Sequence, residues 1–365
     1  MAQQGAQSSR LGQHVDGQAE GSPGVTLDRR VFIAAGAGLA GAALLPRVAR
    51  AQPSNSHTAS ATATSAPTAP AAAAPAKQGF YPFAIGSIKA TAIHDGASSF
   101  APVHQLFAPE ATDDELNATL RENFHPLDKA PIEFNVLALR IGAETILVDT
   151  GFGPGQEGVG QTPANLRAAG IAPESITGIV ITHAHGDHFH GLLDAKDELV
   201  YPNARVFISR KEHDFWTGPA PDLGETALPP EAKKAWIDRG KVIFKKIQPK
   251  TQLVSPGDKL MGDLELVDTA GHTPGHISVI VTSGSESVVL TGDVMHNRVV
   301  MLANPRWTFN LDVNKKDAIK SRLSLFERIA SDRLRTFAYH LPWPGLGNIR
   351  KQGNGYQWLI EPWAW

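Results

Sequence analysis

The sequence predicts an α+β domain in which two β-sheets pack together and helices lie on the outside. Apolar segments of strand length outnumber segments with helical periodicity, and the predicted helices are inserted between groups of strands. The domain should occupy residues 79–365, because residues 52–78 lack the side chains to form a core and the chain before them is interpreted below as an export signal.

The first predicted elements are three strands and one helix. Residues 84–94 alternate between apolar and polar side chains, which is typical of a half-buried strand. Thr112-Asp113-Asp114-Glu115 is a capping box, so a helix should begin there and run to about Asn123. The segments IEFNVLALRI and ETILVDT predict two adjacent strands, joined by a turn at Gly142-Ala143.

The next helix and strand lead to a cluster of histidines. TPANLRAAG predicts a helix with Thr162 as N-cap, Pro163 at the first helical position and Gly170 after the last turn. The apolar segment ITGIVIT then predicts a buried strand that ends at the cluster HAHGDHFH.

The C-terminal part of the domain predicts more strands and one long helix. The strands are expected at ARVFIS, LELVDT, HISVIVTS and SVVLTGD. The segment NKKDAIKSRLSLFERIAS predicts the helix, with Ile319, Leu323, Phe326 and Ile329 on one apolar face.

The N-terminal 51 residues are interpreted as an export signal of the twin-arginine type. Arg29-Arg30 precedes the apolar run Val31 to Leu45, which is too short for a membrane-spanning helix of about 20 residues. Ala49-Arg50-Ala51 then matches the small-residue pattern of a signal peptidase site. We therefore expect a periplasmic or secreted protein with no stable membrane insertion after cleavage. Residues 52–78, rich in Ala, Ser, Thr and Pro, predict a disordered linker.

Composition excludes several classes of function. The formal net charge of −2 and the pI of about 6.7 argue against a nucleic-acid partner, which would require a basic surface. The chain has no cysteine, so it can form no disulfide, thiol nucleophile or thiolate metal site. Any metal must be bound by His, Asp or Glu.

The histidine cluster has the spacing of two metal sites. His183, His185 and Asp187 are spaced by two, so in an extended segment they point the same way, and His188 points elsewhere. Gly186 lets the chain turn after the second histidine. We expect one metal to take His183 and His185, and a second metal to take Asp187 and His188.

Three strand ends supply candidates for the remaining ligands. His272 in TAGHTPGH completes the first site, His340 in FAYH completes the second, and Asp293 in LTGD bridges them. Imidazole and carboxylate ligands predict two divalent ions, with zinc preferred and manganese, iron or cobalt as alternatives. His276 is interpreted as structural. No metal role is assigned to His190, His213 or His296, and whether they contact substrate stays open.

The motifs ITHAHGDH, TAGHTPGH, LTGD and FAYH, in this order, resemble those of the metallo-β-lactamase superfamily. The resemblance covers the chain from Phe80 onward and implies an αββα four-layer sandwich with a binuclear site at the sheet edges. It also implies that Asp149, in LVDTG, lies beside the metal ligands and orients them.

Within this superfamily the chain resembles the methyl parathion hydrolase branch. The likeness rests on YPNARVFISRKEHDFW, HTPGHISVIV and YHLPWPGLGNIRKQGNGYQW. In that branch aromatic side chains line the substrate pocket. The resemblance therefore implies Trp216 as a pocket residue, with Phe152 in GFGPGQEGVG as a second candidate.

The expected function is hydrolysis of an ester-type bond by a metal-bridging hydroxide, since zinc lowers the pKa of bound water from about 15.7 to about 7. Asp187, or a metal-bound water, is expected to manage the leaving group's proton. The expected partner is a small-molecule phosphotriester or aryl ester, with a lactone such as an acyl-homoserine lactone as the alternative. A homodimer is one possible assembly. The non-enzyme alternative is a periplasmic metal-binding protein.

Overall fold

The computed structural model describes residues 78–224 and 226–362. The predicted export signal and nearly all of the predicted linker lie outside these residues and stay predictions. In the described part of the chain, no helix is both long enough and apolar enough to cross a membrane.

Groups of strands are separated by one or two helices along the described chain. The strands are β1 (Phe80–Ile85), β2 (Ile88–Phe100), β3 (Ala130–Ile141), β4 (Glu144–Val148), β5 (Gly178–Ile181), β6 (Arg205–Ser209), β7 (Thr251–Val254), β8 (Lys259–Leu260), β9 (Leu264–Asp268), β10 (Ile277–Ser283), β11 (Glu286–Leu290), β12 (Arg335–Phe337), β13 (Leu346–Gln352) and β14 (Gly355–Ile360). The helices are α1 (Val103–Phe107), α2 (Asp113–Glu122), α3 (Thr162–Ala168), α4 (Gly186–Phe189), α5 (Arg210–Thr217), α6 (Pro230–Ile247), α7 (Val300–Ala303) and α8 (Lys315–Asp332).

Two seven-stranded sheets form the centre of the domain. The first sheet has the order β1-β2-β3-β4-β5-β6-β7, with antiparallel pairs up to β4 and parallel pairs from β4 to β7. The second sheet has the order β14-β13-β12-β11-β10-β9-β8, and within it only β11 and β12 are parallel among the described strands.

Three apolar clusters divide the domain into four layers. Residues such as Leu137 and Val180 of the first sheet pack with Val279 and Leu290 of the second, which forms the core between the sheets. A second cluster joins the other face of the first sheet to α1, α2, α5 and α6, and a third packs α8 on the other face of the second sheet. The predicted fold class, an αββα four-layer sandwich, is confirmed.

Several predicted elements differ from the structure. The strand predicted at residues 84–94 is a hairpin, because Gly86 adopts a φ of +55° and turns the chain between β1 and β2. The capping box at Thr112 is present, and α2 ends one residue before Asn123. Thr162 is the first helical residue of α3 rather than its N-cap, and its side chain donates to Asp95 instead.

The long helix α8 also has a different buried face from the one predicted. Its buried residues are Ala318, Arg322, Leu325, Phe326 and Ile329, whereas Ile319 and Leu323 are half-buried. The face toward the second sheet therefore includes an arginine, which an apolar pattern does not reveal.

The predicted ligands all follow strand ends at one edge of the sandwich. His183 follows β5 of the first sheet, while His272, Asp293 and His340 follow β9, β11 and β12 of the second. Both sheets therefore contribute to a single cluster of side chains.

Candidate metal centre

The first ligand group consists of His183, His185, His272 and Asp293. His185 Nδ1 lies 2.9 Å from His272 Nε2, and Asp293 Oδ2 lies 3.2 Å from His272 Nε2 and 3.5 Å from His183 Nε2. All four residues are buried. Their candidate ligand atoms lie within 4.8 Å of one another, which is close enough to surround one ion.

The second ligand group consists of Asp187, His188, His340 and, again, Asp293. Asp293 Oδ1 lies 3.0 Å from Nε2 of both His188 and His340. Asp187 Oδ2 lies 3.3 Å from His188 Nε2 and 3.4 Å from His340 Nε2. Asp293 thus turns one carboxylate oxygen toward each group. The structure places the predicted ligands in the same two groups that the sequence spacing predicts.

The ligand atoms fit two divalent ions. Four ligands at about 2.0–2.1 Å from one tetrahedral zinc ion lie about 3.3 Å apart, close to the separations found here. Within the described residues, Nε2 of His183, His188 and His340 and Oδ1 of Asp293 are buried without a hydrogen-bond partner. Buried polar atoms without partners are costly, so bound ions would satisfy what the protein leaves unsatisfied.

The protonation of the ligands reflects their burial and mutual contacts. Burial lowers the pKa of His183 and of His185 well below the usual value. Burial also disfavours charge on His188, but the carboxylates of Asp293, Asp187 and Asp149 outweigh it and raise its pKa well above the usual value. Burial alone would raise the pKa of Asp187, yet His188 and His340 hold it at about 2. The carboxylates are therefore ionised, as metal ligands must be.

Asp149 orients the second group, in line with the role implied by the sequence. It follows β4 and accepts hydrogen bonds from Thr182 N (2.8 Å), Thr182 Oγ1 (2.8 Å) and His188 Nδ1 (2.8 Å). Because His188 donates from Nδ1 to Asp149, Nε2 is the ring nitrogen that faces the ligand group.

Asp312 supports a histidine of the first group in the way that Asp149 supports His188 of the second group. The sequence analysis did not predict this role. His272 Nδ1 donates to Asp312 Oδ1 at 2.9 Å, and the buried guanidinium of Arg322 lies 3.3 Å from Asp312 Oδ2. Burial would lower the pKa of His272, but its hydrogen bonds to Asp293 and Asp312 raise the pKa to about 9. Asp312 lies in a loop between α7 and α8, and no local sequence motif identifies it as a functional residue.

A cavity of about 560 Å³ opens beside both ligand groups. On one side it is lined by ligands, among them His185, Asp187, His272, Asp293 and His340. Its other walls combine an apolar set with a polar set; the apolar set is Phe100, Phe134, Phe152, Val159, Trp236 and Leu311, and the polar set is Ser98, Gln156, Glu157, His190 and His296. The arrangement suits a small molecule with a polar reacting group and an apolar remainder.

The two predicted pocket residues occupy different environments. Phe152 lines the cavity. Trp216 is buried behind His185, with the two ring centroids 5.9 Å apart, and its indole N–H donates to Glu212 Oε1 at 2.7 Å. The tryptophan at the cavity wall is Trp236 of α6, which the sequence analysis did not single out.

Asp95 holds the loop that carries Phe152. It lies at a bulge in β2 and accepts hydrogen bonds from the backbone N–H groups of Phe152, Gly160 and Thr162 and from Thr162 Oγ1. This loop forms part of the cavity wall, so a side chain outside both ligand groups helps to shape the cavity.

The other histidines near the centre have separate roles. His276 Nε2 accepts a hydrogen bond from Asp293 N at 2.9 Å, which fixes the backbone of the bridging residue. Burial lowers the pKa of His276 to about 3, consistent with a neutral acceptor. His190 and His296 line the cavity, and His296 Nε2 lies 3.0 Å from Asp293 Oδ2. His213 is partly exposed and pairs with Asp214.

Comparison with known proteins places the chain in a family. The sequence model of the metallo-beta-lactamase superfamily matches residues 135–340, the range that holds every predicted ligand. The chain belongs to the metallo-beta-lactamase superfamily. Among its relatives is the protein YobT of Bacillus subtilis (strain 168), described as uncharacterized, which is 28% identical over 194 residues, 52% of this chain and 76% of YobT.

Solved structures give closer neighbours. AidC, described as a dizinc quorum-quenching lactonase in complex with the product N-hexanoyl-L-homoserine, is 32% identical with a TM-score of 0.75, covering 78% of this chain and 98% of AidC. The hydrolase AbOPH is 28% identical with a TM-score of 0.71, covering 78% of this chain and 98% of AbOPH. A probable metal-dependent hydrolase from Staphylococcus aureus, 16% identical with a TM-score of 0.61 over 77% of this chain and its own full length, shares the fold.

Proposed function

We propose that this superfamily hydrolase binds two divalent ions and cleaves ester bonds, with lactones that carry an apolar chain as its main substrate class. The observation that carries this proposal is the position of the two ligand groups, joined by Asp293, at one side of a cavity with aromatic and aliphatic walls. The similarity to the dizinc lactonase AidC, at 32% identity, supports the choice of lactones.

Two divalent ions would supply a nucleophile at neutral pH and would polarise the ester carbonyl. Asp293 would hold the two ions together, since its two oxygens face different ligand groups. Asp187 is more exposed than Asp293, with 16% of its side chain accessible against 3%, and it lines the cavity. Its carboxylate is therefore the group best placed to receive a proton and pass it to the leaving alkoxide.

The second candidate function is hydrolysis of phosphotriesters or aryl esters, as the resemblance to the methyl parathion hydrolase branch implies. The observation that favours it is the set of aromatic side chains at the cavity wall, Phe100, Phe134, Phe152 and Trp236. Aromatic walls can stack on an aryl leaving group in offset or edge-to-face geometry. A metal-binding protein without catalysis would not need this cavity.

A substrate panel separates these functions. Zinc-loaded protein would be assayed with hexanoyl-homoserine lactone, p-nitrophenyl acetate and dimethyl p-nitrophenyl phosphate, beside metal-free protein and the Asp293→Ala variant. We expect the highest kcat/KM with the lactone. A preference for the phosphotriester or the aryl ester would favour the second candidate. No turnover of any substrate by protein that carries two ions would leave the metal-binding alternative.

We also propose that the protein is exported in folded form to the periplasm. The support is the order of Arg29-Arg30, an apolar run and Ala49-Arg50-Ala51 in the sequence. Replacing both arginines by lysine should retain the precursor inside the cell with its activity in lysates intact. Normal periplasmic levels of the double-lysine protein would show that the signal is not of the twin-arginine type.

A further inference from the structure

Glu212 is a fully buried carboxylate outside the ligand groups, and the proposed chemistry does not use it. It lies in the first turn of α5 and accepts four hydrogen bonds. Oε1 accepts from Ala184 N at 2.9 Å and from Trp216 Nε1 at 2.7 Å. Oε2 accepts from Thr273 Oγ1 at 2.7 Å and from Gly275 N at 3.0 Å.

Three of the four donors to Glu212 lie in the two loops that carry the first ligand group, and the fourth, Trp216 Nε1, lies in α5 itself. Ala184 stands between His183 and His185 in the loop after β5. Thr273 follows His272 in the loop after β9. Each carboxylate oxygen therefore serves a different loop, and a single side chain connects the first sheet's ligands to the second sheet's.

The contact between α5 and the loop after β9 is tight. A Cβ on Gly275 would lie 2.1 Å from the backbone nitrogen of Glu212, so only glycine allows this approach. Ser209, the N-cap of α5, donates to Gly275 O at 2.7 Å and accepts from Glu212 N at 3.2 Å. These contacts fix the start of α5 against the loop independently of the carboxylate of Glu212.

Glu212 is the acceptor for four buried donors. Burying a carboxylate costs several kcal/mol unless its hydrogen bonds are made, and an apolar residue in its place would leave these four donors without an acceptor. The gain from the charged group is also directional, because one carboxylate holds three donors from the two loops and one from α5 at defined distances.

We propose that Glu212 is a positioning residue that sets the separation of His185 and His272. In the structure His185 Nδ1 lies 2.9 Å from His272 Nε2. By fixing this separation, Glu212 determines the affinity of the first ligand group for its ion. This inference rests on the binuclear centre of the proposed function. Glu212 touches neither the cavity nor the second ligand group's residues, so its effect should be confined to one ion.

The decisive variant is Glu212→Gln. An amide offers one acceptor oxygen, whereas the four donors need two, so one loop must face an N–H group in place of an acceptor. We expect the affinity for the first ion to fall about 10–100-fold, the usual effect of losing a group that orients metal ligands. The affinity for the second ion should be unchanged. Elemental analysis across a series of zinc buffers measures both, and absorption spectra of the cobalt-loaded protein report the geometry of each site.

Two further variants keep the test decisive. Thr273→Val removes one donor to Glu212 with little change in volume. It should also lower the affinity for the first ion, but by a smaller factor than Glu212→Gln. Leu325→Ala removes apolar contacts in the layer of α8 but no hydrogen bond to Glu212 or to a ligand, so it lowers stability while both ions should stay bound. If Glu212→Gln does not fold, Thr273→Val carries the test alone.

The outcomes separate the positioning role from the proposed function. Wild-type protein that binds fewer than two ions would overturn the binuclear centre itself. Wild-type protein with two ions, together with a folded Glu212→Gln variant of unchanged affinity for both, would overturn only the role of Glu212. Equal loss of both ions in Glu212→Gln would likewise show that the residue acts on general stability.

Discussion

The two ligand groups share Asp293 but are held in place by different parts of the chain. In the first group, His272 is oriented by Asp312 from the loop before α8, and the two loops are connected by Glu212 of α5. The second group depends on neighbours at strand ends. Asp149 holds His188, Tyr339 stacks on His188 with ring centroids 3.9 Å apart, and Glu133 O accepts from His340 Nδ1.

This difference shows that one centre combines two kinds of support. Among the supports of the second group, Glu133 lies in β3, and Asp149 and Tyr339 lie within two residues of the ends of β4 and β12, so the sheets place all three. The supports of the first group belong to helices and loops, which must pack correctly before the ligands reach their places. We therefore expect the first group to be the more sensitive of the two to substitutions outside the ligands.

The largest effect is expected from the residue that both groups share. Asp293→Ala removes one ligand from each group, so both ions should be lost and most of the activity with them, while the fold is retained. Elemental analysis, activity assays and circular dichroism measure the three quantities. Full activity in this variant would contradict the bridging role of Asp293.

Removing a ligand that belongs to one group should empty that group alone. His272→Ala affects the first group and His340→Ala the second, so each variant should retain about one ion per chain, because the other group keeps its four ligands. Elemental analysis after dialysis against limiting zinc gives the content. Loss of both ions in either variant would mean that the two sites cannot be filled separately.

The supporting carboxylates should have smaller and selective effects. Asp312→Asn should lower the affinity for the first ion, and Asp149→Asn the affinity for the second, each by about 10–100-fold, because a carboxylate that accepts from a ligand histidine raises its basicity and fixes its orientation. Competition with a zinc chelator measures both affinities. If each variant lowered the affinities for both ions equally, the two groups would not be supported independently.

The smallest effect is expected from Asp95, which touches neither group. Asp95→Asn leaves part of its four donors without an acceptor and should loosen the cavity-wall loop at Phe152. A loss of about 1 kcal/mol in substrate binding corresponds to roughly a fivefold higher KM. Steady-state kinetics should show this rise with kcat and metal content nearly unchanged. A fall in metal content would show that the wall loop also supports the ligands.

The sequence was sufficient to predict the ligands but not all of their supports. HAHGDH carries four ligands in one short segment, and Asp293 and His340 follow apolar strands, so spacing and strand ends were enough to find them. The role of Asp149 was implied by the resemblance to the superfamily rather than by spacing. Glu212 lies 28 residues from Ala184, and Asp312 lies 40 residues from His272, so their roles follow only from tertiary packing.

The remaining differences have similar causes. Trp216 was expected at the pocket because of its aromatic character, but an indole N–H also suits a buried acceptor, and Glu212 provides one. The 18-residue helix α6, which supplies Trp236 to the cavity, was missed because Gly240 and many charged residues interrupt its apolar pattern. Residue type indicates what a side chain can do, and packing decides which of these contacts it makes.

The order of the ligands along the chain has a consequence for synthesis. His183, His185 and His272 precede Asp293, so a chain that has left the ribosome as far as Asp293, just after β11, carries every ligand of the first group. The second group must wait for β12 and His340. A prematurely terminated chain that ends between these strands therefore contains at most one complete set of ligands. A complete binuclear centre therefore requires translation through both sheets, as far as His340.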